Sequence, residues 1–135
     1  HVYNGNPFHA YFGYPGDHLG ASSVLACQRE VSGVTAACAL VRMSVWNEVG
    51  GMTPELAGNF NDVDFSLKIR SRGYRILWTP YAVLYHFESM TRDPDVGADE
   101  LRVMRERWAT PIRNDPYYNP NLAPMRDDWM ARPRR

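Results

Sequence analysis

Cysteine is scarce in this chain of 135 residues, which contains only Cys27 and Cys38. Two cysteines do not form a disulfide framework, and the absence of a C-x-x-C pair excludes the usual zinc and redox spacings. The chain also lacks an apolar run near the ~20 residues that span a bilayer, and it lacks a signal-peptide pattern. We therefore expect a reducing, cytoplasmic setting and no transmembrane segment in this chain. Membrane association of a longer parent protein stays open.

A net charge of one sign is also missing, because 15 basic residues balance 15 acidic residues. Such a chain has no global field to attract nucleic acid, so we expect no nucleic-acid partner. Lys68 is the only lysine among the basic residues. This bias fits either genomic base composition or a use of planar guanidinium groups to grip phosphate. Hydrophobic residues make up 44% of the chain and charged residues 22%, which indicates a folded domain rather than disorder.

The pattern of residue types predicts an α/β arrangement in three parts. Residues 1–28 are rich in Gly, Pro, Tyr and His without a clear period, so we expect an irregular segment there. Residues 29–110 contain the periodic elements, and residues 111–135 are typical of a turn-rich C-terminal extension. The elements expected in the middle part are one or two strands in residues 30–43, a short helix capped by Ser44, a helix from Asp62 capped by Asn61, strands at 74–78 and 81–87, and a helix at 98–109.

Asp62 is a candidate for acid–base chemistry because it opens a predicted helix. A carboxylate in the first turn of a helix is favoured in its ionised form by the helix dipole and by free N–H groups. At the mouth of a cleft, such a carboxylate can take a proton from an incoming hydroxyl. Helix capping alone also explains an aspartate at this position, so a catalytic role depends on other residues nearby.

Asp62 and Asp64 together spell D-x-D, a pattern that can hold a metal ion. We reject this interpretation because the two side chains lie about 200° apart around a helix. A metal-holding pair would instead follow a buried strand, with both carboxylates facing one cleft. The same geometry argues against a metal-dependent hydrolase built on Asp62, Asp64 and His86.

His86 lies at the end of the second predicted strand of this region, and Arg92 follows that strand. A lone histidine there is more often structural, although imidazole can bind Mn²⁺ or Mg²⁺ together with carboxylates. Arg92 can clamp a diphosphate, or it can simply cap the turn before Asp93. Because α/β folds place ligands in the loops at strand ends, Asp62, His86 and Arg92 together predict a site for a phosphate leaving group.

Several short motifs follow one another in a specific order over residues 29–122. They are residues 34–42 (VTAACALVR), 49–52 (VGGM), 61–65 (NDVDF), 72–75 (RGYR), Pro80, 85–86 (YH), 88–89 (ES), Arg92 and 115–122 (DPYYNPNL). In order and spacing they resemble family-2 glycosyltransferases of the GT-A fold, especially the rhamnosyltransferase-like and galactofuranosyltransferase-like branch. The resemblance implies the C-terminal, acceptor-side half of a Rossmann-like GT-A domain with a mixed sheet.

The same resemblance implies roles for individual residues. Asp62 would be the general base, and His86 would complete a Mn²⁺ or Mg²⁺ site with a donor-side D-x-D that this chain does not contain. The residues that the resemblance places near substrate are Gly33, Val34, Thr35, Trp46, Gly51, Asn61, Asp64 and Arg92. Residues 105–108 (RERW) are similar to the Q-x-x-R-W sequence of processive synthases but lack the Gln. We therefore expect Trp108 to pack inward and the transfer to be non-processive.

The function that the resemblance implies is inverting transfer of a sugar in bacterial cell-surface polysaccharide synthesis. The donor would be a nucleotide sugar, and the acceptor a glycan or a lipid-linked molecule. Because the donor-binding half is missing, we expect a portion of a longer enzyme that is inactive alone and prone to self-association. A non-catalytic glycan-binding module is the alternative, since aromatic residues fit sugar stacking as well as core packing. Only the enzyme would require Asp62.

Overall fold

The computed structural model describes residues 2–3, 6–86, 96–123, 126 and 128–132. The helices in these ranges are α1 (Met43–Val49), α2 (Asn61–Ser71) and α3 (Ala98–Arg113). Two antiparallel strand pairs join β1 (Val2–Tyr3) to β2 (Asn6–Pro7) and β3 (Arg29–Glu30) to β4 (Leu77–Trp78). Short 3-10 turns lie at Ala21–Ser23, Ala36–Cys38 and Pro54–Leu56.

The second helix, α2, lies at the centre of the core because its apolar side chains point in two directions. Leu67 belongs to a first cluster with Leu56 and with buried residues of α3. Phe65 and Ile69 belong to a second cluster with Val45 of α1. Burying one such side chain contributes roughly 1.5–3 kcal/mol, so α2 joins the two halves of the apolar core.

Glycines end the first two helices, as the sequence predicts. Gly50 follows α1 at a φ of 74°, and Gly73 follows α2 at a φ of 83°, a left-handed conformation that glycine adopts without a steric penalty. The predicted start of α1 is wrong. The helix begins at Met43 with Arg42 at the N-cap position, so Ser44 lies inside the first turn.

The predicted strands in residues 30–43 and 81–87 are mostly absent from the described residues. The first region contributes only Glu30 to β3, and Leu40 is fully exposed. Residues 81–86 have no regular secondary structure and are exposed, and residue 87 lies outside the described residues. A strand needs a partner for its backbone N–H and C=O groups. Because two-residue strands do not define a sheet, the GT-A half-domain stays a prediction.

The last helix extends beyond its predicted end at residue 109 and includes Pro111. Proline in a helix removes one backbone hydrogen bond, but here it lies in the last turns. Ile112 is buried in the first cluster, and the N–H of Asn114 still donates to the carbonyl of Thr110 at 3.0 Å. Burial of Ile112 therefore offsets the missing bond, and the predicted boundary between residues 110 and 111 falls inside α3.

Residues beyond α3 fold back onto β3. The Tyr117 hydroxyl donates to Oε2 of Glu30 at 2.8 Å, and Arg75 donates to Oε1 of the same carboxylate at 2.9 Å. The Ser32 hydroxyl donates to Asp115. The C-terminal extension is therefore held by polar contacts to the middle part of the chain. None of the helices in the described ranges has the length and apolar character that crossing a membrane requires.

Candidate active site

The Asp62 carboxylate lies where the start of α2 meets the turn Ala36–Cys38. Its Oδ2 accepts a hydrogen bond from the backbone N–H of Ala36 at 3.2 Å, and its Oδ1 accepts one from Val63 at 2.8 Å. The side chain is half-buried. A carboxylate has about four acceptor positions, so both oxygens retain capacity to accept a hydrogen bond from a ligand hydroxyl.

The segment before this turn packs closely against α2. A Cβ added at Gly33 would lie 3.0 Å from both Cβ and Oγ of Ser66, one helical turn beyond Asp62. Glycine therefore allows the segment to approach the helix. The Thr35 hydroxyl accepts a hydrogen bond from the N–H of Ala37 at 3.3 Å and caps the turn. The structure thus brings the segment that contains Gly33 and Thr35 against the start of α2, and substrate contact by these two residues stays a prediction.

Glu100 of α3 holds the loop that leads into α2. Its Oε1 accepts hydrogen bonds from the N–H groups of Gly58 at 3.1 Å and Asn59 at 2.6 Å, and its Oε2 accepts one from Gly97 at 3.2 Å. Burial tends to raise the pKa of Glu100, but these hydrogen bonds outweigh it and lower the pKa. The loop ends at Phe60, which has a φ of 59°. This strained conformation costs roughly 1–3 kcal/mol, and the hydrogen bonds from the loop to Glu100 help to hold it.

Asp64 has no exposed surface. The Thr53 hydroxyl donates to its Oδ2 at 2.6 Å, and the Trp108 indole N–H donates to its Oδ1 at 2.7 Å. Lys68 and Arg107 lie 3.6 and 3.5 Å from the carboxylate oxygens. Burial tends to raise the pKa of Asp64, but the two hydrogen bonds and the two nearby cations lower it overall. The carboxylate is therefore a charged link between α2, α3 and the Thr53 loop.

The surroundings of Asp64 leave none of its side-chain atoms exposed to a substrate in this structure. Its contacts explain it as a structural residue rather than the substrate-binding residue that the resemblance implies. Asp62 and Asp64 contact different parts of the protein, in keeping with the helix geometry that argues against a shared metal. Trp108 packs inward against the first cluster, which confirms the sequence-based expectation.

Trp46 and Gly51 pack against each other beside the second cluster. The Trp46 ring centroid lies 4.9 Å from that of Phe65. A Cβ at Gly51, which has a φ of 62°, would lie 2.9 Å from Cζ2 of Trp46. Close packing explains both residues, and their place in an acceptor cleft stays a prediction.

Asn61 and Val34 are both half-buried. Asn61 is the first residue of α2 rather than the cap outside it, and its Oδ1 accepts a hydrogen bond from the N–H of Asp62 at 2.7 Å. Val34 lies between Gly33 and Thr35, in the segment that approaches α2. Substrate contact by either residue stays a prediction.

His86 lies at the end of the exposed segment 81–86, and Arg92 lies outside the described residues. Within the part of the chain that the structure describes, no group of three or more His, Cys, Asp and Glu side chains could hold a metal ion. A site for Mg²⁺ or Mn²⁺ requires several oxygen ligands. The resemblance implies a metal site shared with a D-x-D motif that this chain does not contain, so the metal ion stays a prediction and we derive no catalytic step through it.

Sequence reasoning missed Glu100 and Thr53 as supports of the α2 start. A glutamate three residues after a helix cap is a known capping signal, so the bond from Gly97 to Glu100 was accessible from sequence. The reach of the same carboxylate to residues 58 and 59 depends on how α3 packs, which no local pattern reveals.

Comparison with known proteins relates this chain to longer proteins of bacteria. It is 41% identical to the uncharacterized protein y4gI of Sinorhizobium fredii, in an alignment of 130 positions that covers 90% of the chain. It is 33% identical to the O-antigen biosynthesis protein RfbC of Myxococcus xanthus, in an alignment of 93 positions that covers 66% of the chain. These matches span 14% and 7% of the lengths of the two relatives. No family model matches the chain, and no solved structure matches it.

Proposed function

We propose that this chain is the acceptor-side part of an inverting, nucleotide-sugar-dependent glycosyltransferase of family 2, with a GT-A fold. The observation that carries the proposal is the Asp62 carboxylate, held at the start of α2 against the Ala36 N–H. The relation to a protein named for O-antigen biosynthesis supports a role in cell-surface polysaccharide synthesis. Because the matches cover small parts of the relatives, we place the donor-binding half elsewhere in a longer parent protein.

In the proposed reaction, Asp62 accepts the proton of an acceptor hydroxyl. The hydroxyl oxygen forms a bond to the anomeric carbon of the donor sugar while the bond from that carbon to the diphosphate oxygen breaks. The nucleoside diphosphate leaves with the electron pair, and the single displacement inverts the configuration of the sugar. General-base catalysis of this kind contributes about 10²–10⁴ in rate.

The residues around Asp62 fix the direction of its carboxylate. The N–H groups of Ala36 and Val63 hold one oxygen each, while Gly33 allows the 33–36 segment to approach the helix. We propose that a glycan or lipid-linked acceptor binds along this segment, with its hydroxyl toward Asp62. Donor binding, including any contribution of His86 and Arg92 to a divalent cation or diphosphate, belongs to the longer protein.

The experiment that tests this function compares the longer parent protein with its Asp62→Asn variant. Transfer is measured with a panel of nucleotide sugars and Mn²⁺, and donor binding is measured separately by calorimetry. We expect the variant to lose transfer and to retain donor binding. Turnover near that of the unsubstituted protein would show that Asp62 only stabilises the start of α2. It would favour the alternative of a non-catalytic glycan-binding module.

A further inference from the structure

A cavity of about 210 Å³ lies between the first segment of the chain and the C-terminal extension. Tyr11, Tyr14 and His18 line one side, and Asp128 and Met130 line the other. None of these residues belongs to the surroundings of Asp62 described above. Pockets for drug-sized ligands measure about 300–1,000 Å³, so this cavity has the size for a smaller ligand of one ring.

The aromatic side of the cavity is a packed group of three rings. The ring centroids of Tyr11 and Tyr14 lie 5.5 Å apart, and those of Tyr14 and His18 lie 4.9 Å apart, both in edge-to-face contact. Tyr11 is buried, and its hydroxyl accepts the N–H of Ala21 at 2.7 Å. Tyr14 and His18 are more exposed. Tyr11 therefore anchors an apolar wall whose outer rings a ligand can reach.

The polar groups of the cavity have defined orientations. Nδ1 of His18 accepts the N–H of Gly20 at 3.0 Å, so in the neutral ring Nε2 carries the proton and is a donor. The Tyr14 hydroxyl donates to Oδ2 of Asp128 at 3.3 Å. Oδ1 of Asp128 accepts the Nε–H of Arg126 at 2.9 Å. Hydrogen bonds from Arg126, above all, lower the pKa of Asp128 to about 2.

The charges of Asp128 and Arg126 indicate whether a cationic, anionic or uncharged ligand suits the cavity. Asp128 is ionised at neutral pH, and the adjoining Arg126 guanidinium balances its charge. Among the described residues that line the cavity, a cationic ligand would meet a carboxylate that Arg126 already pairs, and an anionic ligand would meet no lysine or arginine side chain. An uncharged ligand with an apolar face and several hydroxyls matches the cavity better than a cationic or an anionic ligand does. Its apolar face fits the rings, and its hydroxyls fit the oriented donors and acceptors.

We propose that this cavity binds one uncharged sugar ring of a glycan. The apolar C–H face of the sugar packs on the exposed Tyr14 ring, and its hydroxyls bond with His18 and with the polar groups around Asp128. The inference rests on the proposed function for the choice of a glycan as ligand. It does not rest on catalysis by Asp62.

Ligand-observed NMR on the 135-residue chain tests the cavity with the methyl glycosides of glucose, galactose, mannose and rhamnose. We expect saturation transfer to at least one glycoside, and a rise in Kd of about tenfold or more in Tyr14→Ala. Tyr81→Ala removes an exposed tyrosine outside the cavity and should bind as the unsubstituted chain does. If Tyr14→Ala fails to fold, His18→Ala replaces it, because His18 is exposed. The same rise in the Kd of the glycoside is expected.

Three outcomes would overturn the inference. They are no binding of any glycoside, binding that neither Tyr14→Ala nor His18→Ala weakens, and tighter binding of tetramethylammonium or glucuronate than of the uncharged sugars. Asp62→Asn separates the two proposals, because glycoside binding should survive it. If transfer by the longer protein proves independent of Asp62 while glycosides still bind at Tyr14, the proposed function fails and this inference stands.

Discussion

The indole N–H of Trp108 donates a 2.7 Å hydrogen bond to the fully buried carboxylate of Asp64. This bond joins α3 to the first turn of α2, two residues after Asp62. Thr53 donates to the other oxygen of the same carboxylate at 2.6 Å. The position of the candidate base therefore depends on a neighbouring carboxylate that itself lies out of reach of substrate.

Replacing Asp64 should destabilise the fold. In Asp64→Ala, the donors of Thr53 and Trp108 lose their buried acceptor, and we expect the free energy of unfolding to fall by about 3 kcal/mol. Urea denaturation measures this change. Asp99→Ala, which alters an exposed aspartate at the start of α3, should change it by less than about 0.5 kcal/mol. Equal effects of the two substitutions would show that the Asp64 contacts contribute little.

Adjacent glycines offer a matched test of close packing at Trp46. Gly50→Ala adds a methyl group in open space at a φ of 74°, whereas Gly51→Ala at a φ of 62° places one 2.9 Å from the Trp46 ring. Both variants should lose about 1–2 kcal/mol from the left-handed backbone, and Gly51→Ala should lose a further 1–3 kcal/mol from overpacking. Thermal unfolding gives the comparison. Identical midpoints would contradict the Gly51–Trp46 contact.

Acid should weaken the contacts of Asp128. Its pKa is lowered from 3.8 to about 2 in the folded chain, so the unfolded chain binds the proton more readily between these values. The stability that Asp128 supplies is therefore fully present above about pH 4 and is lost as the pH falls towards 2. In urea unfolding at a series of pH values, the difference between the unsubstituted chain and Asp128→Asn should shrink over this range. A difference that stays constant would contradict the lowered pKa.

The exposed segment 81–85 should promote self-association of the isolated chain. Tyr81, Val83, Leu84 and Tyr85 are all exposed and apolar in large part, and such contiguous surface favours association. We expect sedimentation to show concentration-dependent oligomers that Leu84→Asp reduces. Leu19→Asp, at an exposed leucine outside this segment, should leave them unchanged. A strictly monomeric chain at high concentration would contradict the expectation.

Local signals predicted the helices well, because each depends on residues near in sequence. The apolar positions of α2 and the glycines after α1 and α2 are visible without tertiary information. The strands were not predictable in this way. Residues 81–86 have the composition of a strand, but among the described residues they belong to neither strand pair. The end of α3 was predicted too early, because proline usually ends a helix. Burial of Ile112 instead keeps the residues after Pro111 helical.

The candidate site shows the same division. The helix pattern alone predicted that Asp62 and Asp64 would diverge, whereas the resemblance, not the pattern, placed Gly33, Val34 and Thr35 near substrate. The burial of Asp64 depends on Thr53 and Trp108, which are distant in sequence. The cavity at Tyr14 depends on contact between the first and last parts of the chain. Both features follow from tertiary packing and have no local sequence signal.

The most direct test of the account is the transfer rate of the longer parent protein with Asp62→Asn against that with Asp99→Asn. Both substitutions remove a carboxylate from the first turn of a helix, but only Asp62 contacts the 33–36 segment. We expect kcat/KM to fall by about 10²–10⁴ for Asp62→Asn and to stay near that of the unsubstituted protein for Asp99→Asn. Equal activity of the two variants would contradict the assignment of Asp62 as the general base.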